Sequence, residues 1–365
     1  MRISIEPSSI TDITQRLRII VNKSCVDVLT VNGVDTPFFS KSLPNHRTIV
    51  MFFIEPDAIL IGKVSIEVTA GGMSIASDVK IDASAIKEAK MLVEIREAKK
   101  EWLKNHTCCP ECGTKLSFSK GRVCCNNNHI FAQPFHCLNL LSREISDKAK
   151  LAGGEFVSRH ALSKIAFEII DYAQKCGGMV LDFGAGLKFV NDYHPSVINL
   201  EIEPYPTTDI VAAGQRLPFP DNSFEGVFSF AVLEHVSDPF QCAREIARVL
   251  KPGGKVCIGV PFVFHEHGYP EHYYNMTRRG VANLFEDYLE VTAQRPGKLC
   301  IPSLLKAYHS NLSKDAAAEF EKMSIGDIVN APLPHALAMA QEATLSEEIR
   351  WRFAHGTYLW GTKKA

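Results

Sequence analysis

This chain of 365 residues lacks a charge imbalance: Lys and Arg number 40 against 41 Asp and Glu. No bulk basic field is therefore present to gather nucleic acid or an anionic membrane surface, and only a local basic patch stays open. Long apolar runs are missing too. The most apolar stretch, residues 49–61, is broken by Glu55, Pro56 and Asp57 and is too short to cross a bilayer. Met1 to Ser9 is short and polar, so no secretory signal is read there and a cytoplasmic location is expected. Internal repeats and low-complexity tracts are also absent.

What is present is an ordinary globular composition, 46% hydrophobic and 22% charged, long enough for two or three domains. Residues 1–83 hold short β-branched runs at Leu17–Val21, Val26–Val31, Thr48–Ile54, Val64–Thr69 and Met73–Ile81, with Asn32-Gly33 and Gly71-Gly72 as turns. They predict a small β-sandwich-like domain with a structural or docking role. Over residues 84–105 the apolar positions Ile86, Leu92, Ile95 and Trp102 recur among Lys and Glu. This pattern predicts an amphipathic connecting helix whose charges form a solvated face.

Five of the 11 cysteines fall between Cys108 and Cys125. Such crowding reads as metal binding before disulfides. Cys109-x2-Cys112, twelve residues, Cys125, three residues and His129 fit a zinc ribbon over 106–141, two ligands from each of two knuckles. Thiolate and imidazole suit Zn2+, and four protein ligands make the site structural. Cys108 and Cys124 are adjacent spares, with Cys124 the stronger rival to Cys125.

From residue 150 onward apolar strands alternate with helical patterns, which predicts a parallel, doubly wound α/β sheet. Met179–Gly186 (MVLDFGAG) is a strand running into a glycine turn, and Val197–Glu201 is a second strand ending in an acid fifteen residues beyond Gly186. A dinucleotide-binding fold uses the same logic, but Phe189 stands where its third glycine is required. Leu217–Phe224 (LPFPDNSF), Val232–Val236 (VLEHV) and Arg248–Gly254 (RVLKPGG) follow in order.

With that order and spacing, residues 179–263 resemble the class I methyltransferases that use S-adenosylmethionine (SAM). Gly356–Lys363 (GTYLWGTK) resembles the last, antiparallel strand of that fold, pairing beside a strand near Leu289 to Ala293. The resemblance implies a Rossmann-like sheet over 150–365, with a helical insertion at about 299–353 that covers the acceptor or makes an oligomer contact. It implies a SAM site built from Asp182, Gly184, Gly186, Glu201, Gln215 and Phe230. The glycines allow close backbone approach and Glu201 accepts from a ribose diol. The family often has an acid after its third strand to meet the adenine amino group. Here Ala213 stands in that place, and Gln215 or a backbone carbonyl takes over.

Past the fifth strand, three of the 13 histidines (His265, His267 and His272) lie within eight residues, followed by Tyr273 and Tyr274. The segment resembles the acceptor-side loop of the same methyltransferases. His267 or His272 is the candidate base, with Tyr273 or Tyr274 shaping the pocket. His235 faces the same edge, as a base or as a structural hydrogen-bonder. The three loop histidines alternatively form a metal site.

The cysteine segment also resembles the N-terminal zinc ribbon of ribosomal-RNA guanine-N1 methyltransferases, over about 108–141 only. The expected function is methyl transfer from SAM to an oxygen or nitrogen of a small molecule, sugar or glycan precursor. RNA methylation through the ribbon and a non-catalytic SAM-binding scaffold are the alternatives. The oligomeric state is left open by the sequence.

Overall fold

The computed structural model describes residues 3–12, 16–23, 25–36, 38–119, 121–133, 136–141, 161–264, 271–296 and 356–364. Its first nine strands are β1 (Ile3–Glu6), β2 (Ser9–Ile10), β3 (Arg16–Val21), β4 (Val28–Val31), β5 (Val34–Asp35), β6 (Phe39–Leu43), β7 (Arg47–Phe53), β8 (Val64–Ala70) and β9 (Met73–Ile81). They form two sheets, in the orders β1-β3-β7-β6 and β2-β9-β8-β4-β5. Strand alternation puts Leu17, Ile19 and Val21 of one sheet and Val64, Ile66 and Val68 of the other into one shared core. Asn32 and Gly33 join β4 to β5 with φ of 52° and 78°, the twisted two-residue turn their identities suggest. Sequence patterning located the long strands. It missed the short polar ones, such as β6 (FSKSL), and the one-turn helix Pro56–Leu60.

The connecting helix runs Ala83–His106. Ala85, Ala89, Leu92, Arg96, Lys99 and Leu103 make its buried stripe, spaced by alternating steps of four and three residues. The expectation of a wholly solvated charged face is therefore corrected at two residues. Lys99 is 1% exposed, and its ammonium lies 2.9 Å from Asp209 Oδ2 and over the Tyr193 ring at 3.6 Å. Arg96 Nη2 donates to the Pro206 carbonyl at 2.7 Å. The reason is packing. The helix lies against the next sheet, so its inner stripe needs partners there, and the charged residues found them. Burial pulls the Lys99 ammonium below its usual range, and Asp209 opposes that shift.

Three short antiparallel strands follow, β10 (Leu116–Ser119), β11 (Arg122–Cys125) and β12 (Ile130–Ala132). The main sheet comprises β13 (Leu138–Asn139), β14 (Val180–Phe183), β15 (Val197–Glu201), β16 (Ile210–Val211), β17 (Phe224–Phe230), β18 (Leu250–Pro261), β19 (Leu289–Pro296) and β20 (Gly356–Lys363). Their order is β13-β16-β15-β14-β17-β18-β20-β19. β20 runs antiparallel to both neighbours, and the pairings from β13 to β18 are parallel. The helix Lys164–Lys175, capped by the Ser163 side chain on Ala166 N, buries Ile169 and Ile170 on one face of the sheet. The helix Pro239–Val249 packs Cys242, Ala243 and Ile246 into a separate core. That second core also takes in Leu116, Val123 and Phe131 of the small three-stranded sheet.

Strand order reverses beside β14, and the chain crosses from β14 to β15 on one side while β17 lies on the other. In open α/β sheets a crevice forms at the carboxyl ends of strands at such a point. The expected insertion at about 299–353 lies outside the described residues.

Candidate active site

At the carboxyl end of β14 the chain bends sharply. Gly184 and Gly186 have φ of 73° and 60°, in the left-handed region that glycine enters without cost. A Cβ on Gly184 would stand 2.3 Å from Val232 Cγ2, so the turn passes hard against the segment that follows β17. Gly184 N and Ala185 N both donate to the Leu200 carbonyl, at 3.0 and 2.9 Å.

The end of β15 meets this turn directly. Gly186 N donates to Glu201 Oε2 at 2.8 Å, and Ile202 N donates to Oε1 at 2.7 Å. Both oxygens are thus fixed in direction while each keeps a lone pair for a further donor. Burial pushes the Glu201 carboxyl up, and the two backbone N–H groups pull it back.

Asp182 is buried, and its Oδ2 lies 2.8 Å from the ammonium of Lys188, which is also buried. Sequence reading missed Lys188. It carries no periodic signal, and only its place just past the glycine turn marks it.

Gln215 lies on the segment after β16. There Ala212 N donates to the Glu201 carbonyl at 3.0 Å, and the Gln215 carbonyl accepts from Gln241 Nε2 at 3.1 Å. Ala213 is buried. Phe230 ends β17 in an aromatic row, 5.8 Å from Phe228 and 6.0 Å from Tyr358 between ring centres. The structure thus places Phe230 among core aromatics, whereas the glycine turn and Glu201 touch one another.

Beyond β17, Leu233–His235 form a short 3-10 turn. Tyr273 N and Tyr274 N donate to the Glu234 carbonyl at 2.7 and 3.2 Å. His235 Nδ1 lies 2.7 Å from the Glu271 carbonyl and must be its donor, so in the neutral ring Nε2 is the acceptor. That Nε2 is 3.8 Å from Glu234 Oε1, and the His235 and His272 rings are 5.7 Å apart. His235, His272, Tyr273 and Tyr274 therefore come to one place. His265 and His267 lie outside the described residues. In the sequence Glu234 stands out only as part of Val232–Val236, yet its carboxyl is fully buried and burial pushes it up to about 8.

The four ribbon residues also converge. One ligand atom each from Cys109, Cys112, Cys125 and His129 lies within 4.8 Å of the others. His129 Nδ1 is 3.4 Å from both Cys109 Sγ and Cys125 Sγ, and Cys112 Sγ is 3.6 Å from Cys125 Sγ. A tetrahedral zinc with sulfur at about 2.3 Å needs sulfur separations near ~3.8 Å, so the donor set fits that ion. Gly113 N bonds back to the Cys109 carbonyl and Asn128 N to the Cys125 carbonyl, which closes the two knuckles. In β11 Cys125 is buried while Cys124 alternates to the other side, which separates the two rivals.

The eight-stranded sheet with its antiparallel β20 and its glycine turn at the end of β14 has the Rossmann-like architecture of class I SAM-dependent methyltransferases. Residues 182–258 match the family described as "Methyltransferase domain". An uncharacterized methyltransferase of Schizosaccharomyces pombe is 43% identical over 58 residues, 16% of this chain and 21% of that protein. One of Mycobacterium leprae is 28% identical over 133 residues, 34% of this chain and 49% of its own length. The 27-O-demethylrifamycin SV methyltransferase of Amycolatopsis mediterranei is 42% identical over 48 residues, 13% of this chain and 18% of that protein. The chain thus spans half the length or less of these curated relatives. Among solved structures, the phosphoethanolamine N-methyltransferase 2 of Haemonchus contortus, in complex with SAM, aligns at TM-score 0.33 and 17% identity, covering 55% of this chain and 53% of that one. No helix among the described residues is long and apolar enough to cross a membrane.

Proposed function

We propose that this chain transfers a methyl group from SAM to an oxygen or nitrogen of a small-molecule, sugar or glycan-precursor acceptor. The observation that carries the reading is the bond from Gly186 N to Glu201 Oε2. It holds a carboxylate, with acceptor capacity to spare, against the tight glycine turn at the carboxyl end of β14. A ribose diol is the group that such a carboxylate receives. When bound, SAM supplies an electrophilic methyl; the chain's own task is alignment and proton removal. Gly184, Gly186 and Glu201 orient the nucleoside end, with Gln215 beside the base, and Asp182 takes the ammonium of the methionyl end. His235, through Nε2, is placed to take a proton from an acceptor held among His272, Tyr273 and Tyr274. The tautomer this requires is set by the Glu271 carbonyl.

Cys109, Cys112, Cys125 and His129 would hold Zn2+ as a structural ion. With four protein ligands the ion keeps no open position for chemistry. Its work is to fix the ribbon, whose outgoing strand β13 extends the main sheet beside β16.

Titration calorimetry with SAM and with its demethylated product, S-adenosylhomocysteine, tests the reading. Wild type is expected to bind both, and Glu201→Ala to weaken both at least tenfold. Wild type with no detectable affinity for either would retire the proposal.

A further inference from the structure

Lys188 stands two residues past Gly186, with its side chain only 4% exposed. A buried ammonium is costly unless it is paired, so the 2.8 Å contact with Asp182 Oδ2 fixes where this charge sits. Its backbone N donates to Thr207 Oγ1 at 3.0 Å, which pins the loop that carries it. The pair belongs to the crevice of the glycine turn. Asp182 lies one residue before the end of β14, and both members act electrostatically on Glu201, Asp182 raising its carboxyl and Lys188 lowering it.

The methionyl end of SAM carries an ammonium and a carboxylate on one carbon. An isolated Asp182 would attract the first and repel the second. A fixed pair of opposite charges offers a partner to each. Two opposed pairs can then close into an alternating square, and in a site of low polarity such contacts are strong. A preformed pair also spares the reorganisation that binding would otherwise cost.

We infer that Lys188 is a cofactor-site residue, receiving the α-carboxylate of the methionyl group while Asp182 receives its α-ammonium. The inference rests on the SAM reading above and adds a residue and a recognised group to it. It also gives a reason for burying a lysine beside Asp182 at this loop.

The test compares ligands with and without the amino-acid end. Titration calorimetry is run with SAM, S-adenosylhomocysteine and 5′-methylthioadenosine on wild type, Lys188→Met and Lys188→Arg. Lys188→Met is expected to weaken SAM and S-adenosylhomocysteine at least tenfold and to leave 5′-methylthioadenosine within twofold. Lys188→Arg is expected to recover part of the SAM affinity. Equal weakening of all three ligands would make Lys188 a structural residue and overturn the inference, as would unchanged SAM affinity. Wild type that binds none of the three would overturn the SAM reading itself, and this inference with it. If Lys188→Met does not fold, Lys188→Gln, which keeps a donor toward Asp182 without the charge, carries the same comparison.

Discussion

Replacing Glu234 by glutamine removes a carboxyl that burial keeps protonated. Its side chain is fully buried in the turn after β17, and the value climbs from an ordinary 4.5 to about 8. The folded value exceeds the unfolded one. The stabilisation tied to this group is therefore complete below about pH 4.5 and is lost as pH rises toward about 8. At pH 7 the unfolded chain is ionised at this residue while the folded chain still holds the proton. At about 1.4 kcal/mol per pH unit, the wild type has by then given up about 3 kcal/mol relative to acid conditions. Glutamine does not titrate, so it abolishes that slope. Its buried amide adds a cost of about 1–3 kcal/mol that does not vary with pH. Urea unfolding at several pH values between 5 and 8 reads both effects, because groups common to the two proteins cancel in the difference. The two stability profiles should cross between about pH 5 and 7, with Glu234→Gln the flatter and the more stable of the two at pH 8. Parallel profiles would refute the claim that this carboxyl is held neutral.

Cys112→Ser is expected to lose most of the bound zinc and lower the melting temperature, whereas Cys124→Ser keeps both; metal analysis by mass spectrometry checks it, and zinc lost equally from the two variants would contradict the assigned ligands. Lys99→Met leaves Asp209 buried with its hydrogen bonds from Tyr193 and Asn199 but without its ion partner. A loss of about 3 kcal/mol in denaturant unfolding is expected, and a change within about 0.5 kcal/mol would show that the pair is not coupled to stability.

Much of the main sheet was legible because its signals are local. Four apolar residues before Gly184, an acid closing β15 and the proline-glycine punctuation around β17 and β18 each state one element. Their order states the topology. The eight residues of β20 could be placed beside the strand near Leu289 to Ala293 because GTYLWGTK resembles a strand of a known pattern.

What was missed depends on partners distant in sequence. Arg96 and Lys99 look like solvated charges until Pro206 and Asp209 are brought across, although their four-and-three spacing with Leu92 and Leu103 was there to be read. The choice between Cys124 and Cys125 turns on which side of β11 faces the other knuckle. Lys188 and Glu234 are ordinary surface residue types, and only the packing around them shows that both side chains are sequestered. The surroundings of Phe230 follow the same rule. Being at the end of β17 was readable, but its packing against Tyr358 was not, because that residue lies on the last strand.

The contact between Glu201 and a ribose diol is the point on which the functional account turns. Affinities of S-adenosylhomocysteine and of its 2′,3′-dideoxy analogue, each measured on wild type and Glu201→Gln, isolate that contact as a coupling. Hydrogen bonds to a charged carboxylate are worth about 1.5–3 kcal/mol, so the wild type should lose about 10- to 150-fold on removal of the hydroxyls and the variant far less. The same loss in both proteins would contradict the account.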